Sequence, residues 1–214
     1  NCFFEYMGWQ DLKVKTYRVQ QETFCPENKF LTKEEYVRLV KVAKKMGKIR
    51  LAMIIQTICA TGIRVSELKA ITAASVRDSL VVIHNKGKVR TVLLPDELKE
   101  ELFYYMGKNG IRKGIVFRTA SGKAVNRSNI WREMKALCKK ADVDENKVFP
   151  HNLRHLFATV FYGVKKDMAK LADVLGHSSI ETTRIYIKTT IREHKKQLIN
   201  NPSKLAFGSL RTRE

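Results

Sequence analysis

A mainly helical domain with one small antiparallel sheet of three strands, an α+β fold, is the architecture this sequence predicts. Apolar residues recur at helical spacing over most of the chain, and β-branched runs are confined to a stretch in its middle. The length, 214 residues, suits one large domain or one domain with an appendage. No stretch approaches the roughly 20 apolar residues that a helical membrane span requires, and the most apolar window, Leu51 to Ala60, ends in a glycine turn. A membrane partner is therefore not expected.

Residues 1–26 mix aromatic and basic side chains without a sustained period and end at Cys25-Pro26. They read as the tail of a preceding helix plus an interdomain linker. Thr32-Lys33-Glu34-Glu35 then spells a capping box, and Tyr36, Leu39, Val40 and Ala43 mark one helical face that stops at Gly47. A nearly all-apolar helix from Ile49 to Ala60 should be central, and because it ends at Thr61-Gly62, Arg64 emerges at the mouth of a buried element. Ser79 to His84 and Val89 to Leu94 are β-rich runs around Asn85-Lys86-Gly87-Lys88, a hairpin with a basic tip.

Pro95-Asp96 opens a helix carrying Leu98, Leu102, Tyr105 and Met106, and Ile115-Val116-Phe117 supplies the third strand. Ser128 starts a helix with Ile130, Met134, Leu137, Cys138 and Ala141 on one side; Pro150 starts another that carries His151 to Tyr162. Asp167 caps a helix ending at Gly176, and Ser178-Ser179-Ile180-Glu181 offers a further capping box before the helix holding Tyr186.

Lysine and arginine number 41 against 21 acidic residues, a formal charge of +20 spread along the whole length. Such an excess points to a polyanionic partner in contact with the folded body, with nucleic acid the leading class. Cys2, Cys25, Cys59 and Cys138 lie far apart without a C-x-x-C pair, which disfavours a zinc site and a disulfide framework and predicts free thiols in a reducing cytoplasm. The first residue is Asn1 rather than Met, so a longer parent protein is expected.

Direct displacement at a phosphodiester needs an in-line nucleophile, cations on the non-bridging oxygens and a proton for the leaving alkoxide. Arg64 and Arg154 carry planar, permanently charged forks that match phosphate oxygens. On a helix, His151 and Arg154 stand at i and i+3, so imidazole and guanidinium share a face. His177 follows the helix-ending Gly176 at a junction that aims its ring at a shared anion, and Tyr186 supplies an oxygen nucleophile for a phosphotyrosine bond. Lys86 on the hairpin tip is the expected acid, with Lys88 as its competitor, and Glu67 is expected to hold the arginines in place. Taken singly, each has an ordinary reading as a core, cap or surface residue, which His84 and His155 keep; the joint occurrence, in order, is what carries the chemistry. No metal or cofactor is called for.

Three stretches carry a resemblance: Ala60-Thr61-Gly62-Ile63-Arg64-Val65-Ser66-Glu67-Leu68, His151 to Thr159, and Leu175-Gly176-His177 through Tyr186. From about Lys29 to Lys188 the chain resembles the tyrosine recombinases, the phage-integrase and Xer-like family. The resemblance implies the recombinase catalytic-domain fold and a metal- and ATP-independent reaction in which Tyr186 forms a 3′-phosphotyrosyl link and frees a 5′ hydroxyl. Arg64 and Arg154 resemble the two clamping arginines, Lys86 the hairpin acid, His151 the first imidazole and His177 the His/Trp position.

It also implies a homotetramer on two duplexes bearing a specific recombination site, with room for accessory DNA-bending proteins, in the cytoplasm of a bacterial or phage-infected cell. Residues 1–26 then resemble the exit of a DNA-binding domain, 27–190 the catalytic domain, and 191–214 a tail whose Ile191 to Ile199 helix docks into a neighbouring protomer or packs in cis. An integrase of a mobile element or phage is the expected function. The rivals are a type IB-like topoisomerase and a DNA-binding regulator that keeps the fold without activity.

Overall fold

The structure, a computed structural model, describes residues 2–12, 29–85 and 87–187. Ahead of the main body lies a short helix α1, Cys2–Tyr6. The main body opens with α2, Lys33–Lys45, whose capping box forms as the sequence predicts: Glu35 N–H donates to Thr32 Oγ1 at 3.2 Å and Thr32 N–H to Glu35 Oε2 at 2.8 Å. Leu39 and Ala43 bury completely, with Tyr36 and Val40 half-buried beside them. Helix α3, Ile49–Thr61, runs through the centre, with Leu51 to Ile55 and Ile58 buried. It stops where Gly62 turns left-handed at φ 66°, its N–H returning to Ile58 O.

A 3₁₀ turn, Val65–Ala70, and the short α4, Ala73–Arg77, lead into the hairpin. Strands β1, Leu80–Asn85, and β2, Lys88–Leu93, pair antiparallel from Leu80↔Leu93 to Asn85↔Lys88. Val81, Ile83 and Val92 face the core, while Leu80, Val82 and Leu93 face out, the alternation of a half-buried ribbon. The expected third strand is not part of this sheet, which has two strands. Ile115 makes a single bridge to Thr72, and Val116 N–H donates to Ile71 O at 2.9 Å. The loop entering α4 takes these backbone groups, and Val116 and Phe117 reach the core without a ladder.

Helix α5, Asp96–Lys108, buries the four residues its spacing singled out. Helix α6, Arg127–Ala141, begins one residue earlier than Ser128, capped by Asn126 Oδ1 at 2.8 Å from Ser128 N–H, and packs on α2. Arg38 of α2 donates to the carbonyls of Ala141 and Asp142, closing the end of α6. Helix α7, Pro150–Lys165, lies against α3. Asp167 caps α8, Met168–Leu175, which ends at the left-handed Gly176.

Helix α9, Ile180–Arg184, is capped by Ser179 Oγ, 3.2 Å from Glu181 N–H, while the Glu181 carboxylate pairs with Arg184. That differs from the expected box, in which Ser178 and Glu181 would cap each other. Tyr186 lies in the 3₁₀ turn that follows, Ile185–Ile187. Among the described residues no helix is long and apolar enough to cross a membrane. Cys59 and Cys138 are free thiols. Lys86, most of the 1–26 segment and the 191–214 tail, including Ile191 to Ile199, lie outside the described residues.

Candidate active site

Arg154 is the centre of the site, and its position follows from where three helices end. It stands at the start of the second turn of α7, only 1% exposed. Its terminal nitrogens donate to Gly62 O and Leu175 O, carbonyls at the C-terminal ends of α3 and α8. Helix C-termini leave unpaired carbonyls and the negative end of the dipole, so two of them together hold a buried cation. Burial, and then the nearby Arg64, lower the Arg154 pKa to about 10, with Tyr186 and Glu67 acting in the opposite sense. The guanidinium therefore keeps its charge at neutral pH. Its Nε is buried with no hydrogen-bond partner, a donor left over for a ligand.

Arg64 follows the α3 turn and is held by Glu67. The Arg64 N–H donates to Glu67 Oε2 at 2.7 Å and its NH1 to Oε1 at 3.0 Å. From β2, Arg90 donates to the same carboxylate through both terminal nitrogens, at 2.9 and 2.8 Å. Burial alone would raise the Glu67 pKa, but hydrogen bonds from Arg90 and from the Arg64 amide outweigh it and hold the carboxyl below its ordinary value. Glu67 thus stays ionised as counter-charge between the guanidiniums of Arg64 and Arg90.

His177 accepts from Arg154 NH2 at Nε2, 3.0 Å away, because a guanidinium only donates. Its Nδ1 lies 2.9 Å from the buried Thr183 Oγ1, and so carries the proton it donates there. Burial first, then Arg154, Arg64 and Arg90, lower the His177 pKa to about 4, consistent with this neutral tautomer. His151, at the open start of α7, is lowered as well, by burial and by Arg154 and Arg64. The Tyr186 ring lies 5.2 Å from the rings of both His151 and His177 and is only 6% exposed, packed with Ala158, Leu171 and Leu175.

A cavity of about 670 Å³ opens over Arg64, His151 and Arg154, with Arg127 and Trp131 of α6 on its far wall. Its floor is cationic, and it is wide enough for more than a single phosphate. Tyr186 stands behind this cavity rather than in its lining. Among the described residues no three His, Cys, Asp or Glu side chains are grouped to hold a metal ion.

Residues 29–193 match the phage integrase family. The chain belongs to that family, the tyrosine recombinases. It is 33% identical over 184 residues to tyrosine recombinase XerA of Pyrococcus furiosus, covering 83% of this chain and 63% of that protein. It is also 33% identical over 167 residues to XerH of Campylobacter jejuni, covering 73% and 47%. The chain thus spans about half to two thirds of the length of these curated relatives. The crystal structure of XerA recombinase superposes with a TM-score of 0.71 at 26% identity, over 94% of this chain and 72% of that one. A lambda integrase tetramer bound to a Holliday junction shares the fold, with a TM-score of 0.64 at 16% identity over 86% and 55%.

For this member of the phage integrase family, the structure brings together Arg64, His151, Arg154, His177 and Tyr186, with Glu67 beneath them. Lys86 lies outside the described residues, and for Lys88 the backbone pairing to Asn85 is what is described. Two residues escaped the sequence reading. His155, given an ordinary role, stacks on Phe30 with ring centroids 3.6 Å apart and lies 5.8 Å from Tyr186. Arg90 was passed over, although strand alternation puts it on the face of Val92 and Leu94, both buried, where a charge needs a partner.

Proposed function

We propose that this chain is the catalytic unit of a site-specific DNA recombinase, an integrase of a mobile element or phage, that cleaves and rejoins strands through Tyr186. The observation that carries the reading is the convergence on Arg154: four separate segments deliver Arg64, His151, His177 and Tyr186 around one buried, permanently charged fork with a spare donor. Arg64 and Arg154 would take the non-bridging oxygens of the scissile phosphate, where charge grows in the transition state. Tyr186 Oη would form the new bond to phosphorus as the bond to the 5′ oxygen breaks. The phenol proton passes to His151, whose lowered pKa leaves it neutral near pH 7, since both ring nitrogens of His177 are engaged by Arg154 and Thr183. Lys86 would return a proton to the 5′ oxygen.

Residues 27–190 are read as this unit. The partner is double-stranded DNA carrying a recombination site, and the assembly is a tetramer on two duplexes, as in the lambda integrase tetramer on its junction. The test is a library of nicked duplexes of randomised sequence, incubated with the protein in a chelator. The reading expects covalent protein–DNA adducts that disappear with Tyr186→Phe. Tight DNA binding without any adduct would contradict it in favour of a DNA-binding regulator, and plasmid relaxation without strand exchange in favour of a topoisomerase.

A further inference from the structure

We infer that Arg90 is a positioning residue for the phosphate clamp, acting through Glu67 on Arg64; the inference rests on the recombinase reading above and deepens it. Arg90 spends its two-pronged edge on Glu67 rather than on a phosphate: Nη1 and Nη2 each donate one N–H to one Glu67 oxygen, at 2.9 and 2.8 Å. Its Nε–H is buried and has no hydrogen-bond partner. The side chain is 12% exposed and that of Glu67 7%, so this two-toothed pair is shielded from solvent, whereas Arg64 on the other side of the carboxylate is 33% exposed and borders the cavity.

Glu67 has two oxygens and serves four donors: two from Arg90 and two from Arg64. A carboxylate gripped on both oxygens by one planar fork has lost its rotation, and its remaining lone pairs point in fixed directions. Arg64 is then held by its amide and its guanidinium at a set angle over the cavity. Without Arg90, Glu67 keeps a negative charge and its bonds to Arg64 but regains side-chain freedom, so Arg64 samples more than one orientation.

The path of Arg90 to Glu67 adds a second tie. A Cβ placed on Gly176 would lie 2.6 Å from Arg90 Cδ, so the arginine stem crosses directly over that glycine, one residue before His177. The glycine serves twice here, adopting φ 66° and leaving room for the stem. Strand β2, the Arg64 turn and the His177 turn are thereby joined through one side chain. Lysine at position 90 would keep the charge but offer a point contact in place of the fork.

Two readouts test this. In side-chain ¹⁵N NMR of the full chain without DNA, the Arg64 Nη1–H signal should be slow to exchange in the native protein and broadened or exchange-averaged in Arg90→Ala, with Arg90→Lys giving partial recovery. An Arg64 signal unchanged in Arg90→Ala overturns the inference whether or not the protein cuts DNA, so this arm is independent of the recombinase reading. In the second, single-turnover cleavage is compared on a normal scissile phosphate and on a neutral methylphosphonate at the same position. Arg90→Ala should lose on the order of 10-fold to 10²-fold on the normal substrate, less than removal of a direct donor costs. That deficit should shrink on the methylphosphonate in parallel with Arg64→Ala, because a neutral phosphorus centre needs less counter-charge. An equal deficit on both substrates would mark Arg90 as merely structural and overturn the inference.

Discussion

Arg154 shows how a charge survives burial without a carboxylate beside it. Two helix ends supply carbonyls, and the geometry of the fork decides which residue can use them. Arg154→Lys should therefore lower the cleavage rate by on the order of 10²–10³ while DNA affinity changes little, which single-turnover kinetics and a binding titration separate. His155 offers a test of a different kind. Burial, then His151 and Lys29, lower its pKa to about 4 from the ordinary 6.5. Between these values the unfolded chain binds a proton that the folded chain refuses. The stability linked to His155 is thus full above about pH 6.5 and falls as pH drops toward 4, by up to about 3 kcal/mol. His177 adds a loss in the same direction. Urea midpoints measured from pH 7 to pH 5 should fall, and His155→Phe, which can keep the stack on Phe30, should flatten that fall; an unchanged slope would contradict the assignment.

At the scale of elements, the site is assembled from terminations. Gly62 ends α3, Gly176 ends α8, and Pro150 begins α7, and each places a functional side chain within a residue or two. A Cβ at Gly62 would overlap the Phe157 ring, and its φ of 66° is strained for any other residue. Gly62→Ala should cost at least about 1–2 kcal/mol from the backbone alone, and should also displace the carbonyl that Arg154 uses. Urea unfolding checks the first, and loss of cleavage at matched folding checks the second.

These terminations were legible beforehand because capping residues and glycines act locally: Thr32 with Glu35, Asp167 and Gly176 all stand where the sequence puts them. The third strand was not legible, since Ile115-Val116-Phe117 has strand composition whichever partner its backbone finds. Arg90 was harder still. Its partner is 23 residues away, and only the fold brings β2 onto the Glu67 turn. The convergence of Arg64, His151, Arg154, His177 and Tyr186 was readable as a set of parts, but the buried depth of Tyr186 depends on packing between α7 and the final turn, and the His155 stack on Phe30 from the segment before α2.

For the whole molecule, the +20 charge and the arginines lining the cavity suit the proposed DNA partner, which would meet the protein over one face. If that face neutralises 6–10 phosphates, raising salt from about 50 to 200 mM should weaken DNA binding by on the order of 10³–10⁵. A salt titration by anisotropy measures the slope, and a flat slope would remove the electrostatic account. The central claim is narrower: that one phenol, Tyr186, becomes joined to DNA at this site. Trapping the adduct in chelator, digesting the DNA with nuclease and mapping the peptides by mass spectrometry tests it most directly. The expected result is a nucleotide remnant on the peptide containing Tyr186, attached through its phenol oxygen; a remnant on any other residue, or none from a protein that binds the duplex tightly, would contradict it.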